Sequence, residues 1–167
     1  MKVSRNFFIG SLIAINIAID QFSKYWVDKT VEENSVTELL GSLLTLRHVL
    51  NEGAFLGMGS DLNDTLKLIV LLILPTIVLG FVVYHMIKEK SMDRLSLIGF
   101  SCVVGGGISN VFDRFVYGHV IDFLHMDFGF VRTGIFNAAD LSVTTGMVLI
   151  LWSSFKHRKK SKEQVSA

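Results

Sequence analysis

Ile135-Phe136-Asn137-Ala138-Ala139-Asp140 leads into an uncharged run that ends at Phe155, so a carboxylate stands at the mouth of a membrane-length apolar segment. A charge at or inside a bilayer costs free energy, and residues kept there usually serve chemistry or transport. A spanning helix needs about 20 mostly apolar residues. Working back from 135–155, three more stretches meet that length, at about 7–27, 66–87 and 95–116. The expected fold is therefore integral membrane and mainly α: a four-transmembrane-helix bundle in which 1–167 forms a single domain.

Composition points the same way. Half of the 167 residues are hydrophobic, and a mean hydropathy of +0.50 is too high for a soluble domain of this size. A net charge of +1, with no basic stripe among aromatics, argues against a nucleic-acid partner. The single cysteine, Cys102, excludes an internal disulfide and a multi-cysteine metal site. Lys2 and Arg5 ahead of Phe7–Ile19 imitate a secretory signal. No small-x-small cleavage site follows, however, and Phe22, Tyr25 and Trp26 suit a membrane interface, so the segment reads as an uncleaved first span.

Basic residues cluster near alternate span ends: Lys2 and Arg5, then Lys88, Lys90 and Arg94, then Lys156, Arg158, Lys159, Lys160 and Lys162. Because Lys and Arg concentrate on the cytoplasmic side, both termini are expected there, with 156–167 as a basic cytoplasmic tail. Segment 28–65 then lies outside. Ser42–Val49 partly alternates apolar with polar residues, so a small extracytoplasmic β-rich cradle is expected in that segment. Pro75 predicts a kink in the second span. Gly105-Gly106-Gly107 in the third would admit either a close helix or a close substrate, and packing is the commoner use.

Depth brings the polar intruders together. At about 1.5 Å per residue, Asp20 lies about 20 Å above Phe7, Asn110 about 22 Å above Leu95, and Asp140 about 22 Å above Phe155. Asp113 sits slightly higher. In a hydrocarbon core about 30 Å thick, three helices thus place polar groups at one level in the outer third. Spacings of three or four residues link Asp20 with Lys24, Asn110 with Asp113 and Arg114, and Asn137 with Asp140, giving each helix one polar face. These groups either form a shared site or supply the interhelical hydrogen bonds and ion pairs that hold a bundle together.

Asp122, in Val120-Ile121-Asp122-Phe123, follows the third span and would meet Asp140 if this segment dips back. Two close carboxylates share a proton, which suits hydrolysis: one deprotonates water while the other polarises a carbonyl. The roles of such a pair are interchangeable on sequence grounds. No His-Glu-x-x-His helix, Cys–His ligand set or Gly-x-Ser-x-Gly turn is present. His119 and His125 read as solvated or structural loop residues, and the adjacent Ser23 and Lys24 do not face each other on a helix. Metal catalysis is not expected.

The set Asp20-Gln21-x-Ser23-Lys24, Asn51-x-Gly53-Ala54, Gly106-Gly107-x-x-Asn110-x-x-Asp113-Arg114, Val120-x-Asp122-Phe123 and Phe136-Asn137-x-Ala139-Asp140 resembles bacterial lipoprotein signal peptidase, also called signal peptidase II. The resemblance implies an aspartic endopeptidase of the bacterial inner membrane that uses neither a metal nor an organic cofactor. Such enzymes cut prolipoproteins just before a diacylglyceryl-modified cysteine, and Asp122 and Asp140 match the catalytic pair. It further implies that Asn51, Gly53, Ala54, Asn110, Asp113, Arg114, Asn137 and Ala139 support the pair or contact substrate. Asp20 and Lys24 match a pair that shapes the site from the first helix. The implied partners are the lipid-modified precursors and membrane lipids, acting on a monomer, and the implied fold adds a short interfacial helix within 28–65. Arg132-Thr133-Gly134-Ile135 and Leu141 depart from the family pattern, which bears on substrate preference.

Two rivals remain from other classes. A divergent non-peptidase paralogue would keep the fold. A small proton-coupled transporter would use Asp20, Asp113 and Asp140 as a relay, but the inner halves of the spans carry almost no charge.

Overall fold

The computed structural model describes the backbone of residues 4–54 and 58–165, with side chains through 157. Lys2 of the sequence reading lies outside the described residues, as do the side chains of Arg158, Lys159, Lys160 and Lys162. Four helical rods are long and apolar enough to cross a membrane: Arg5–Thr30, Asp64–Lys88, Arg94–Tyr117 and Ala138–His157.

The first rod is α1 (Arg5–Thr30), opened by Ser4, whose hydroxyl accepts the Phe7 N–H. The second comprises α2 (Asp64–Lys67), a π-helical stretch Leu68–Ile73 and α3 (Leu74–Lys88). Pro75 explains that wide stretch. It has no N–H to donate one turn back, and its ring crowds the preceding carbonyls, so the chain loosens its hydrogen-bond register just before it. The expected distortion at Pro75 takes this form.

The third rod, α4 (Arg94–Tyr117), is capped by Asp93, which accepts N–H bonds from Leu95 and Ser96 at 2.9 and 3.1 Å. It ends at Gly118 with φ +78°, a left-handed turn that favours glycine. The fourth is α5 (Ala138–Val165).

Helix α4 is the hub, and its glycine triplet is the reason. A Cβ on Gly105 would meet Asn16 of α1 at 2.7 Å, one on Gly106 the Ala139 carbonyl of α5 at 2.4 Å, and one on Gly107 Leu79 of α3 at 2.6 Å. Three consecutive glycines therefore face three different helices, which settles their use as packing. Gly99 and Gly146 continue the close α4–α5 seam.

A four-stranded antiparallel sheet, ordered β1 (Val36–Glu38), β2 (Leu44–Asn51), β3 (Val120–Asp127) and β4 (Arg132–Phe136), closes one end of the bundle. The sequence reading places strand structure only in 28–65, whereas half of the sheet comes from the connection between α4 and α5. It also opens the fourth span at Ile135. In the structure Ile135 and Phe136 pair with His125 and Leu124 in the β3–β4 ladder, and α5 begins at Ala138. Their apolarity serves the sheet, which a count of apolar residues does not distinguish from a span. The short interfacial helix implied for 28–65 does not form among the described residues.

The interior divides along the bundle axis. Ile9, Met86, Leu97 and Val104 form an apolar cluster toward the end bearing the N-terminus. Toward the sheet the buried groups turn polar: Asp20, Lys24, Ser109, Asp113, Asp122 and Asn137. Outward-facing Phe22, Trp26, Phe81 and Trp152 are exposed, as side chains facing acyl chains would be.

Candidate active site

The helix pattern that places Asp20 and Lys24 one turn apart on α1 lays both against α4. Lys24 Nζ lies 2.6 Å from Asp20 Oδ2 and 2.6 Å from Asp113 Oδ2. All three residues are almost wholly buried, so the cation needs its partners: a buried charge left unpaired is strongly destabilising. Asp20 also reaches α5, accepting the Ala139 N–H at 2.7 Å through Oδ1. A carboxylate from α1 thus caps the first turn of α5, where free N–H groups and the helix dipole favour negative charge.

The start of α5 is fixed a second time by its own residues. Asn137 Oδ1 accepts the Asp140 N–H at 2.9 Å, while Asp140 Oδ2 accepts the Asn137 N–H at 3.3 Å. This reciprocal pair is a capping box with Asn and Asp in the two roles. It holds the Asp140 carboxylate at the helix mouth, where Asn110 Nδ2 donates to Oδ1 at 2.9 Å. Lys24 Nζ donates to Asn110 Oδ1 at 2.8 Å, which leaves the amide NH2 facing Asp140.

Asp122 enters from β3. Its register against β2, with Val49 opposite Asp122 and Asn51 opposite Val120, carries it to the bundle end of the sheet. Asn51 Nδ2 donates to Asp122 Oδ2 at 2.8 Å and Asn137 Nδ2 to Oδ1 at 2.7 Å. Asn137 therefore binds both carboxyl-bearing residues, and the segment after α4 does fold back to Asp140. Burial pushes the Asp122 carboxyl up to about 6; hydrogen bonds from Asn51 and Asn137 oppose this, and the nearby negative charge of Asp140 adds to it.

The turn after β2 completes the wall. Asn51 Oδ1 accepts the Gly53 N–H at 2.8 Å and Asn51 Nδ2 donates to the Ala54 carbonyl at 3.0 Å. Arg114 donates from Nη2 to the Gly53 carbonyl at 2.7 Å and from Nη1 to the Asn110 carbonyl at 3.0 Å. A cleft of about 400 Å³ opens over Asp122, lined by Val49, Asn51, Glu52, Ser60, Gly134 and Ile135.

The twelve site residues expected from sequence thus fall in one hydrogen-bonded network. Two members were given no role: Gln21, which donates to Asp113 Oδ1 at 2.7 Å, and Ser109, which donates to Asp20 Oδ2 at 2.7 Å. Ser109 lies four residues before Asp113 on the polar face of α4, a spacing that carried the signal. Among the described residues no group of three His, Cys, Asp or Glu side chains is arranged to hold a metal. Among the described residues the buried charged side chains Asp20, Lys24, Asp113 and Asp122 gather at one end of the bundle, opposite the apolar cluster, which is not the layout of a transmembrane proton relay.

The chain is similar to known proteins. The family model of signal peptidase (SPase) II matches residues 12–156. A lipoprotein signal peptidase of Borrelia hermsii is 35% identical over 170 residues, covering 96% of this chain and 99% of its own. That of Psychromonas ingrahamii is 33% identical, covering 86% and 82%. A solved bacterial membrane enzyme matches with a TM-score of 0.80 at 27% identity, covering 92% of this chain and 90% of that one.

The fold and site define a multi-pass bacterial membrane protease. The chain belongs to the signal peptidase II family, whose activity is removal of the signal peptide from prolipoproteins. The residues expected to depart from the family pattern have distinct places. Gly134 and Ile135 line the cleft over Asp122, whereas Leu141 faces outward from the bundle, 53% exposed.

Proposed function

We propose that the chain is an aspartic endopeptidase whose catalytic pair is Asp122 and Asp140. The observation that carries this reading is Asn137. One side chain binds the Asp122 carboxylate and, through its capping box, fixes Asp140, so two carboxyls from different elements share one scaffold. In the reaction one carboxylate takes a proton from water, and the resulting hydroxide attacks the scissile carbonyl. The other, as a carboxylic acid, donates its proton to the carbonyl oxygen. The gem-diol intermediate collapses when the amine nitrogen receives the proton first taken from water, a gem-diol hydroxyl returns its proton to the other carboxylate as the carbonyl re-forms, and the C–N bond breaks. Each carboxyl then returns to its starting state.

The substrate is a prolipoprotein whose cysteine carries a diacylglyceryl group, cut just before that residue. Two features support this: a cleft at the junction of helices and sheet, and an apolar helix surface along which a lipid-anchored segment can arrive sideways. The distribution of Lys and Arg favours cytoplasmic termini, which puts the site near the outer leaflet of the cytoplasmic membrane, where water reaches it. The working form is a monomer, because one chain supplies the whole network.

Purified protein should cleave a diacylglyceryl-modified prolipoprotein and leave the unmodified precursor intact. Cleavage of both forms alike would remove the lipid requirement from this account.

A further inference from the structure

The β1–β2 and β3–β4 turns meet at the end of the sheet remote from the catalytic network. Asp127 N–H donates to the Leu43 carbonyl at 3.0 Å, and Phe128 N–H to the Val131 carbonyl at 2.9 Å. Water-exposed turns are built from Gly, Asn, Asp, Ser and Pro. These two instead present Leu39, Leu40, Leu43, Phe128, Phe130 and Val131, all exposed, with Phe130 at 89% and Leu40 at 65%. None belongs to the network around Asp122.

Immediately behind this tip stands a solvated ion pair, Arg132 Nε to Asp127 Oδ2 at 2.8 Å, with the Arg132 side chain 70% exposed. Apolar side chains in front and paired charges behind form the profile of a segment at the boundary between acyl chains and headgroups. The chain brings its own bilayer close. Strand β4 ends at Phe136 and α5, a membrane-length helix, starts at Ala138, so a single residue tethers the sheet to the membrane surface.

We propose that this apolar tip inserts into the leaflet on the sheet's side of the membrane and holds the sheet at a second point. The helices fix its near end and lipid fixes its far end, so the cleft over Asp122 stays beside the bilayer surface. A second protein copy fits less well, since six side chains fall short of the roughly 20 residues a side that a stable interface uses.

The test places tryptophan at the tip. Phe130→Trp in a background with Trp26→Phe and Trp152→Phe is reconstituted into phosphatidylcholine vesicles with plain or dibrominated acyl chains. The expected result is blue-shifted emission, quenched at least twofold by the brominated lipid and unchanged on diluting protein in lipid. Leu40→Trp in the same background reports from the neighbouring turn and should behave alike. Emission of a hydrated indole without bromine quenching at either position would overturn the proposal. So would a blue shift that vanishes on dilution, which would assign the tip to a second copy.

Discussion

Lys24 Nζ lies 2.8 Å from Asn110 Oδ1, and that contact decides which end of the Asn110 amide faces Asp140. An ammonium has only donors, so it accepts no arrangement but the carbonyl oxygen turned toward it. The amide NH2 is then left to Asp140. Asp20 and Asp113 hold the ammonium in place from either side.

Removing the cation should disorder the amide more than the fold. Paired replacement Lys24→Met with Asp113→Asn removes one charge of each sign, so the cluster keeps its formal charge. We expect kcat to fall about tenfold or more, about 1.4 kcal/mol in the barrier, with KM little changed. Steady-state kinetics on the purified variant checks the split; a rise in KM alone would place Lys24 in substrate binding.

Asn137 carries two separable duties. Asn137→Ala loses both the cap on α5 and the donor to Asp122, and should destabilise the protein by about 1–2 kcal/mol in addition to abolishing cleavage. Asn137→Asp keeps a good cap but sets a carboxylate against Asp122 Oδ1. Thermal melting in detergent should show near-normal folding at neutral pH for this variant, with cleavage lost.

The glycine triplet offers a steric test with an internal control. Gly106→Ala would drive a methyl to 2.4 Å from the Ala139 carbonyl, so the first turn of α5 must shift and carry Asp140 with it. We expect a stability loss of about 1–3 kcal/mol and a larger proportional loss of activity. Gly10→Ala, with nothing within 4 Å, should be neutral or slightly stabilising.

The sequence carries the four helices because their length and apolarity are properties of single segments. It carries the common depth of Asp20, Asn110 and Asp140 because helix rise is constant. Strands β3 and β4 are hidden for two physical reasons. Val120–Asp127 pairs with β2 across the whole of α2, α3 and α4, so nothing local announces it. Ile135 and Phe136 are as apolar as a span, so their sheet role is masked. Asn137 and Asp140 are legible as neighbours three residues apart, but their reciprocal capping depends on where α5 starts, which the misplaced span boundary obscures.

Asp122 also gives a signed pH dependence. Its carboxyl is pushed from 3.8 to about 6 in the folded protein, so the folded state binds the proton more tightly than the unfolded chain does. That contribution to stability is fully present below pH 3.8 and is lost as pH rises to about 6. Melting temperatures measured across this window should fall with pH more steeply for the natural protein than for Asp122→Asn. Equal slopes would mean that Asp122 does not titrate there.

We propose that Asp122 and Asp140 act as one catalytic pair. The direct measurement is gel-resolved cleavage of a diacylglyceryl-modified prolipoprotein by the purified natural protein, Asp122→Asn and Asp140→Asn, each verified as folded in detergent. Cleavage by the natural protein and none by either variant is the expected result. Full activity in either folded variant would contradict it.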